Sequence, residues 1–98
     1  MKVQKFRWSK VYESTEEELV GLLEAKNIAA TRQEAEAFSE RSEQTPVEGN
    51  TFWFAEGSCT LSVSGQRFSM QPGDALRVPA QTMYQVAAGL TGCAWYTT

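Results

Sequence analysis

The strongest constraint on the fold lies in residues 59–79, CTLSVSGQRFSMQPGDALRVP. Apolar Cys59, Leu61 and Val63 alternate with Thr60, Ser62 and Ser64, so a strand here buries one face and wets the other. Gly65 then turns the chain back toward Phe68 and Met70, which makes a hairpin. In QPGD, Pro72 and Gly73 hold the positions a type II turn prefers, since proline presets φ and glycine accepts φ > 0. TFWFAEG before the hairpin reads as a short apolar strand ending at Gly57, and ALRVP, MYQVAA and GCAWYTT continue the series after it. Short runs spaced by turn residues indicate an all-β barrel or sandwich over 28–98.

The first 27 residues read differently. KVQKFRWSKVY is an extended leader that would carry Phe6 and Trp8 on one face if it were a strand. Ser14 and Glu17 then form a capping-box pattern, and Glu16, Glu17 and Glu18 sit where a helix dipole favours negative charge. Leu19, Leu22 and Leu23 supply the apolar stripe, and Lys26 and Asn27 lie near the end. The acidic cluster reads as a helix start rather than a cation site. Beyond it, AATRQEAEAFS fits a first pair of strands, and polar RSEQTPVEGN, residues 41–50, reads mainly as loop.

Ninety-eight residues suit one domain on one core, here the leader and helix (1–27) followed by the barrel (28–98). A net charge of −3, with scattered Lys and Arg, argues against nucleic acid as a partner. No run of 18 apolar residues is present, so no helical membrane span is expected. The start MKVQKFRW lacks the apolar segment of a secretory signal, which points to the cytoplasm. Cys59 and Cys93 are too few for a disulfide framework and read as two buried thiols.

The frame of Gly57, Gly65, Pro72-Gly73-Asp74 and Pro79 resembles a small single-domain cupin, a jelly-roll β-barrel, here with one N-terminal α-helix. The second cupin motif is G-x5-P-x-G-x2-H-x3-N. Gly73 and Pro79 match it, whereas Gln81 replaces the glycine, Tyr84 the histidine and Ala88 the asparagine. The first motif is G-x5-H-x-H-x3,4-E-x6-G, and Gly57 matches its last glycine. Counting back from Gly57 puts Asn50 at the glutamate. Counting forward from FSE aligns Arg41 and Glu43 with the two histidines and Glu48 with the glutamate, so the counts differ by two residues. A short insertion near TPVEG reconciles them.

The resemblance implies a metal held by three imidazoles and a carboxylate, yet this chain contains no histidine. The barrel is therefore expected to need no metal and no other cofactor. Arg41 is permanently charged and would oppose a divalent ion beside Glu43 and Glu48. What the mouth offers instead is a pocket for a small molecule, anionic or aromatic. Arg41 would take a carboxylate or phosphate, Glu43, Glu48 and Asn50 would add polar contacts, and Phe52, Phe54, Tyr84 and Val86 would form the walls. Two alternatives stay open. An isomerase- or epimerase-like enzyme would use Glu43 or Glu48 as base and Tyr84 as acid. A purely structural or protein-interaction barrel would pair Arg41 with Glu40, Glu43 or Glu48 and fill its interior with Tyr84. Fold does not choose among these. Alternation also turns Trp53 outward, and an exposed aromatic row would suit a homodimer.

Overall fold

The computed structural model describes residues 3–9, 15–45 and 49–98. In chain order these form β1 (Gln4–Arg7), α1 (Glu16–Ala25), β2 (Thr31–Ala35), β3 (Glu40–Gln44), β4 (Asn50–Val63), β5 (Gln66–Met70), β6 (Asp74–Val78) and β7 (Met83–Thr97). The strands run β1-β6-β4-β7-β2, with β3 added to β7 and β5 to β4, and every pairing is antiparallel. The architecture is the all-β barrel with one helix that the turn pattern requires.

Two long strands carry the barrel, and both read as pairs of short ones in the sequence. β4 does not end at Gly57, and β7 runs unbroken from MYQVAA into GCAWYTT. They pair from Phe52↔Thr97 to Gly57↔Cys93, and again from Cys59↔Ala88 to Val63↔Tyr84, with irregularities at Phe54/Glu56 and Gly57/Cys59. Such bulges bend a strand so that it serves both sides of a barrel. Gly57 sits at that bend with φ of 70°, and a Cβ there would strike the Gly92 carbonyl oxygen. The glycine therefore permits a close approach of β4 to β7 rather than ending a strand.

Two further expectations need correction. Residues 41–44 of the expected loop belong to strand β3, paired along β7 from Glu40↔Ala87 to Gln44↔Met83. The sequence ERSEQ has no apolar alternation to announce it, and pairing supplies what propensity does not. AATRQEAEAFS holds one strand, Thr31–Ala35, and a turn, not a strand pair. The two shorter turns behave as read. Ser64 and Gly65 take φ of 49° and 81° in the hairpin, and Gly73 takes 99° while the Asp74 N–H donates to the Gln71 carbonyl at 3.0 Å. Asp74 closes its own turn by accepting from the Gln71 N–H at 3.1 Å, and it also accepts from Arg7 Nη1 at 2.9 Å.

The helix begins at Thr15, which accepts from the Glu18 N–H at 3.2 Å and donates back to the Glu18 carboxylate at 3.3 Å. The capping box thus lies one residue later than the Ser14–Glu17 pattern suggests, and Ser14 is outside the described residues. Leu19 and Leu23 are buried against Trp53, Ala55 and Ala75, with Trp8, Ile28 and Tyr96 at the edges. Burying each leucine stabilises the layer by about 1.5–3 kcal/mol. Glu16 is no cation site. It accepts from Arg32 Nε at 2.7 Å and from the Tyr96 hydroxyl at 2.6 Å.

This helix layer corrects the expected exposure of Trp53. The residue is 9% exposed, lies beneath α1, and meets Phe6 edge-on at 5.7 Å between ring centroids. Alternation did send it away from Phe52 and Phe54, but the helix covers that face, so Trp53 offers no dimer surface. Cys59 and Cys93 are both buried with free thiols. No described helix is long and apolar enough to cross a membrane.

Candidate functional site

The second, larger core fills the barrel, and Phe52, Phe54, Leu61, Leu76, Val78, Val86 and Trp95 are its inward residues. Above this packed layer the side chains become polar. The β3–β7 register sets Arg41 opposite Val86 and Glu43 opposite Tyr84. β4 begins at Asn50, and β2 sets Gln33 opposite Trp95. Together these strands enclose a cavity of about 230 Å³ whose lining includes Arg41, Glu43, Asn50 and Tyr84.

Tyr84 is 7% exposed, with its ring edge-on to Phe52 at 4.9 Å. Its hydroxyl donates to Glu43 Oε2 at 2.9 Å. Burial, followed by that hydrogen bond and the nearby Glu43 charge, pushes the phenol well above its ordinary value, so it stays a protonated donor. Asn50, with its amide turned toward them, donates to the carbonyls of Thr98 and Gly49 at 2.6 and 3.1 Å.

Arg41 is half-buried and lies 5.7 Å from the centroid of the Trp95 ring, a cation–π distance. Its Nη2 donates to the Glu34 carbonyl at 2.9 Å and its Nη1 to Gln33 Oε1 at 3.4 Å. Among the described residues it bridges no carboxylate. The structural-barrel reading agrees with Tyr84, which is buried and bonded to a neighbour, whereas neither Glu40 nor Glu43 pairs with Arg41, and Glu48 lies outside the described residues. Trp95 in turn stacks on Phe54 at 5.9 Å, and its own indole N–H is buried without a partner among the described residues.

Of the eight residues read from sequence, the structure gathers Arg41, Glu43, Asn50 and Tyr84 around one cavity. Arg41 and Glu43 come from the forward count of the first motif and Asn50 from the backward count. Phe52, Phe54 and Val86 point inward but are at most 1% exposed and pack below the cavity, not along its wall. Glu48 lies outside the described residues. Four lining residues escaped the sequence reading: Gln33, Gln44, Trp95 and Thr97. Alternation from Cys93 through Trp95 to Thr97 was available as a signal, but Gln33 and Gln44 sit in polar strands that carry none.

The donor set does not fit the transition metal that the resemblance implies. Arg41 and Tyr84 stand where imidazoles would. The first is a cation, and the second keeps its own proton, which it donates in a hydrogen bond to Glu43. Among the described residues no three acidic or cysteine side chains come together as a metal site.

No protein-family model matches the chain, and no curated protein matches it. Solved structures do. A DUF861 family protein from Thermotoga maritima superposes with a TM-score of 0.66 at 18% identity, over 99% of this chain and 98% of that one. A predicted oxalate decarboxylase from Thermotoga maritima gives 0.63 at 12% identity, over 97% of this chain and 76% of that one. Salicylate 1,2-dioxygenase from Pseudoaminobacter salicylatoxidans gives 0.57 at 17% identity, over 78% of this chain but only 28% of its own length. At these identities the likeness is one of fold, and the fold is a cupin-like barrel.

Proposed function

We propose that this chain is a metal-free cupin-like binding protein that takes a small, flat anion, such as an aromatic carboxylate, in the cavity at the barrel mouth. One observation carries the reading: Arg41 lies over the face of Trp95 beside the cavity with no carboxylate bridging it among the described residues. Its contacts with Gln33 and Glu34 engage two of the five N–H donors of a guanidinium. The rest can meet a planar carboxylate in a forked, charge-assisted contact. Trp95 supplies an apolar floor stiffened by Phe54, and the amides of Gln33, Gln44 and Asn50 give polar edges. A cavity of about 230 Å³ suits a molecule of benzoate size better than a nucleotide or a sugar chain.

The acid–base enzyme is the second reading, and the Tyr84–Glu43 bond favours it in part, because a proton donor and a carboxylate are both present. That bond also counts against it. Acid and base satisfy each other in the resting state, whereas an isomerase sets them on opposite sides of a substrate.

Thermal denaturation with benzoate, acetate and neutral benzamide tests the binder. Benzoate raises Tm in a concentration-dependent way, benzamide does not, and Arg41→Met loses the benzoate shift while keeping its own fold. If no small carboxylate raises Tm of the unaltered protein, the reading is wrong.

A further inference from the structure

Away from the cavity, the bend between β4 and β7 brings the two cysteines of the chain together. Cys93 pairs in register with Gly57, and Cys59 follows two residues later, where the ladder is interrupted. Both side chains belong to the same buried cluster, and the two thiols are near enough for their titrations to be coupled. They differ in what lies beyond them. Cys93 also lines an open groove of about 820 Å³ whose walls include Arg41, Glu40, Glu56 and Gly92, whereas Cys59 is absent from that lining. Cys93 therefore borders the groove, and Cys59 does not.

We propose that Cys93 and Cys59 are an oxidisable dithiol: Cys93 is the attacking thiol at the groove floor, Cys59 the resolving thiol behind it, and a hydroperoxide the oxidant. The electrostatics agree with this order. Cys59 and the charge of Arg41 hold the Cys93 thiol below its ordinary value against the effect of burial. Cys93, together with burial, pushes Cys59 up. Of the two thiols, Cys93 is the one that the Arg41 cation acts on, and the thiolate is the nucleophilic form.

In the first step Cys93 Sγ attacks a peroxide oxygen. An S–O bond forms, the O–O bond breaks, and the leaving oxygen departs as water or an alcohol after taking a proton. In the second step Cys59 Sγ attacks the Cys93 sulfenic sulfur. An S–S bond forms, the S–O bond breaks, and hydroxide leaves with the Cys59 proton as water. Two thiols give up two electrons, and one peroxide accepts them.

The test is oxidation of the folded, unaltered protein with hydrogen peroxide, followed by alkylation and intact-mass measurement. The expected product has lost the mass of two hydrogens, resists alkylation at both cysteines, yields a Cys59–Cys93 linked peptide and reverts with dithiothreitol. Cys59→Ser halts the sequence at a Cys93 sulfenic acid that dimedone captures. Cys93→Ser slows peroxide modification of Cys59 at least tenfold. The unaltered protein decides the matter even if a serine variant fails to fold. Oxygen addition without a linked peptide, a linkage only between two chains, or two thiols still alkylated after peroxide would each overturn the proposal.

Discussion

The hydroxyl of Tyr84 donates to Glu43 Oε2 at 2.9 Å across the β3–β7 ladder, joining the barrel interior to its most polar strand. Because Glu43 is largely exposed, water can replace the tyrosine if the hydroxyl is removed. Tyr84→Phe keeps the ring on Phe52 and should cost only about 0.5–1.5 kcal/mol in urea unfolding at pH 7. The pH dependence is more telling. The folded phenol titrates above the ordinary value of about 10. Its contribution is therefore complete below that pH and is lost as pH rises toward the folded value. The unaltered protein should lose stability faster than Tyr84→Phe above pH ~10. Equal slopes would show that the hydroxyl is not held in the fold.

Gly57 and Gly65 both have positive φ, at 70° and 81°, but their surroundings differ. A Cβ on Gly57 would strike the β7 backbone at Gly92, whereas a Cβ on Gly65 meets nothing within 4 Å. Gly65→Ala should cost about 1–2 kcal/mol, the conformational penalty alone. Gly57→Ala should cost about 2–4 kcal/mol, because overpacking at the barrel bend adds to it. Comparable losses in chemical denaturation would mean that the close approach of β4 to β7 is not what Gly57 serves.

Thr15→Ala removes the side chain that accepts from the Glu18 N–H, and it should lower stability by about 1 kcal/mol. Thr15→Ser keeps an equivalent oxygen and should be close to neutral. Calorimetry of the two variants separates a cap from a loss of bulk, since alanine and serine both delete the methyl.

Glu16 ties the helix to the sheet through Arg32 Nε at 2.7 Å, Arg32 Nη2 at 3.2 Å and the Tyr96 hydroxyl at 2.6 Å. The Arg32 and Tyr96 hydrogen bonds hold its carboxyl below the ordinary range. The stabilisation is thus present above the unfolded pKa and disappears as pH falls through the folded one. Glu16→Gln should cost about 1 kcal/mol at pH 7, modest because the pair is partly solvated, and the gap should narrow as pH falls below the ordinary carboxylate value. A pH-independent gap would point to packing rather than charge.

The sequence made much of this fold legible where one residue type had one physical reason to be there. Alternation at Cys59, Leu61 and Val63 marked a half-buried strand, and Pro72-Gly73 marked a turn whose second φ is 99°. Leu19 and Leu23 marked the buried stripe of a helix. The candidate site was legible in part. Arg41, Glu43, Asn50 and Tyr84 meet at one cavity, while Phe52, Phe54 and Val86 support it from below.

By itself the chain determined its strand period, its turns, its helix and the absence of imidazole ligands, all local properties of side chains and φ preferences. Only the tertiary structure decided that ERSEQ is a strand, that β4 and β7 are each one long bent element, and that Trp53 faces a helix instead of solvent. Those outcomes depend on what a segment packs against, since an edge strand gains its hydrogen bonds, and an outward face its cover, from residues far away in sequence. The same long-range pairing put Arg41 over Trp95 and Cys59 beside Cys93, contacts that local residue preferences do not encode.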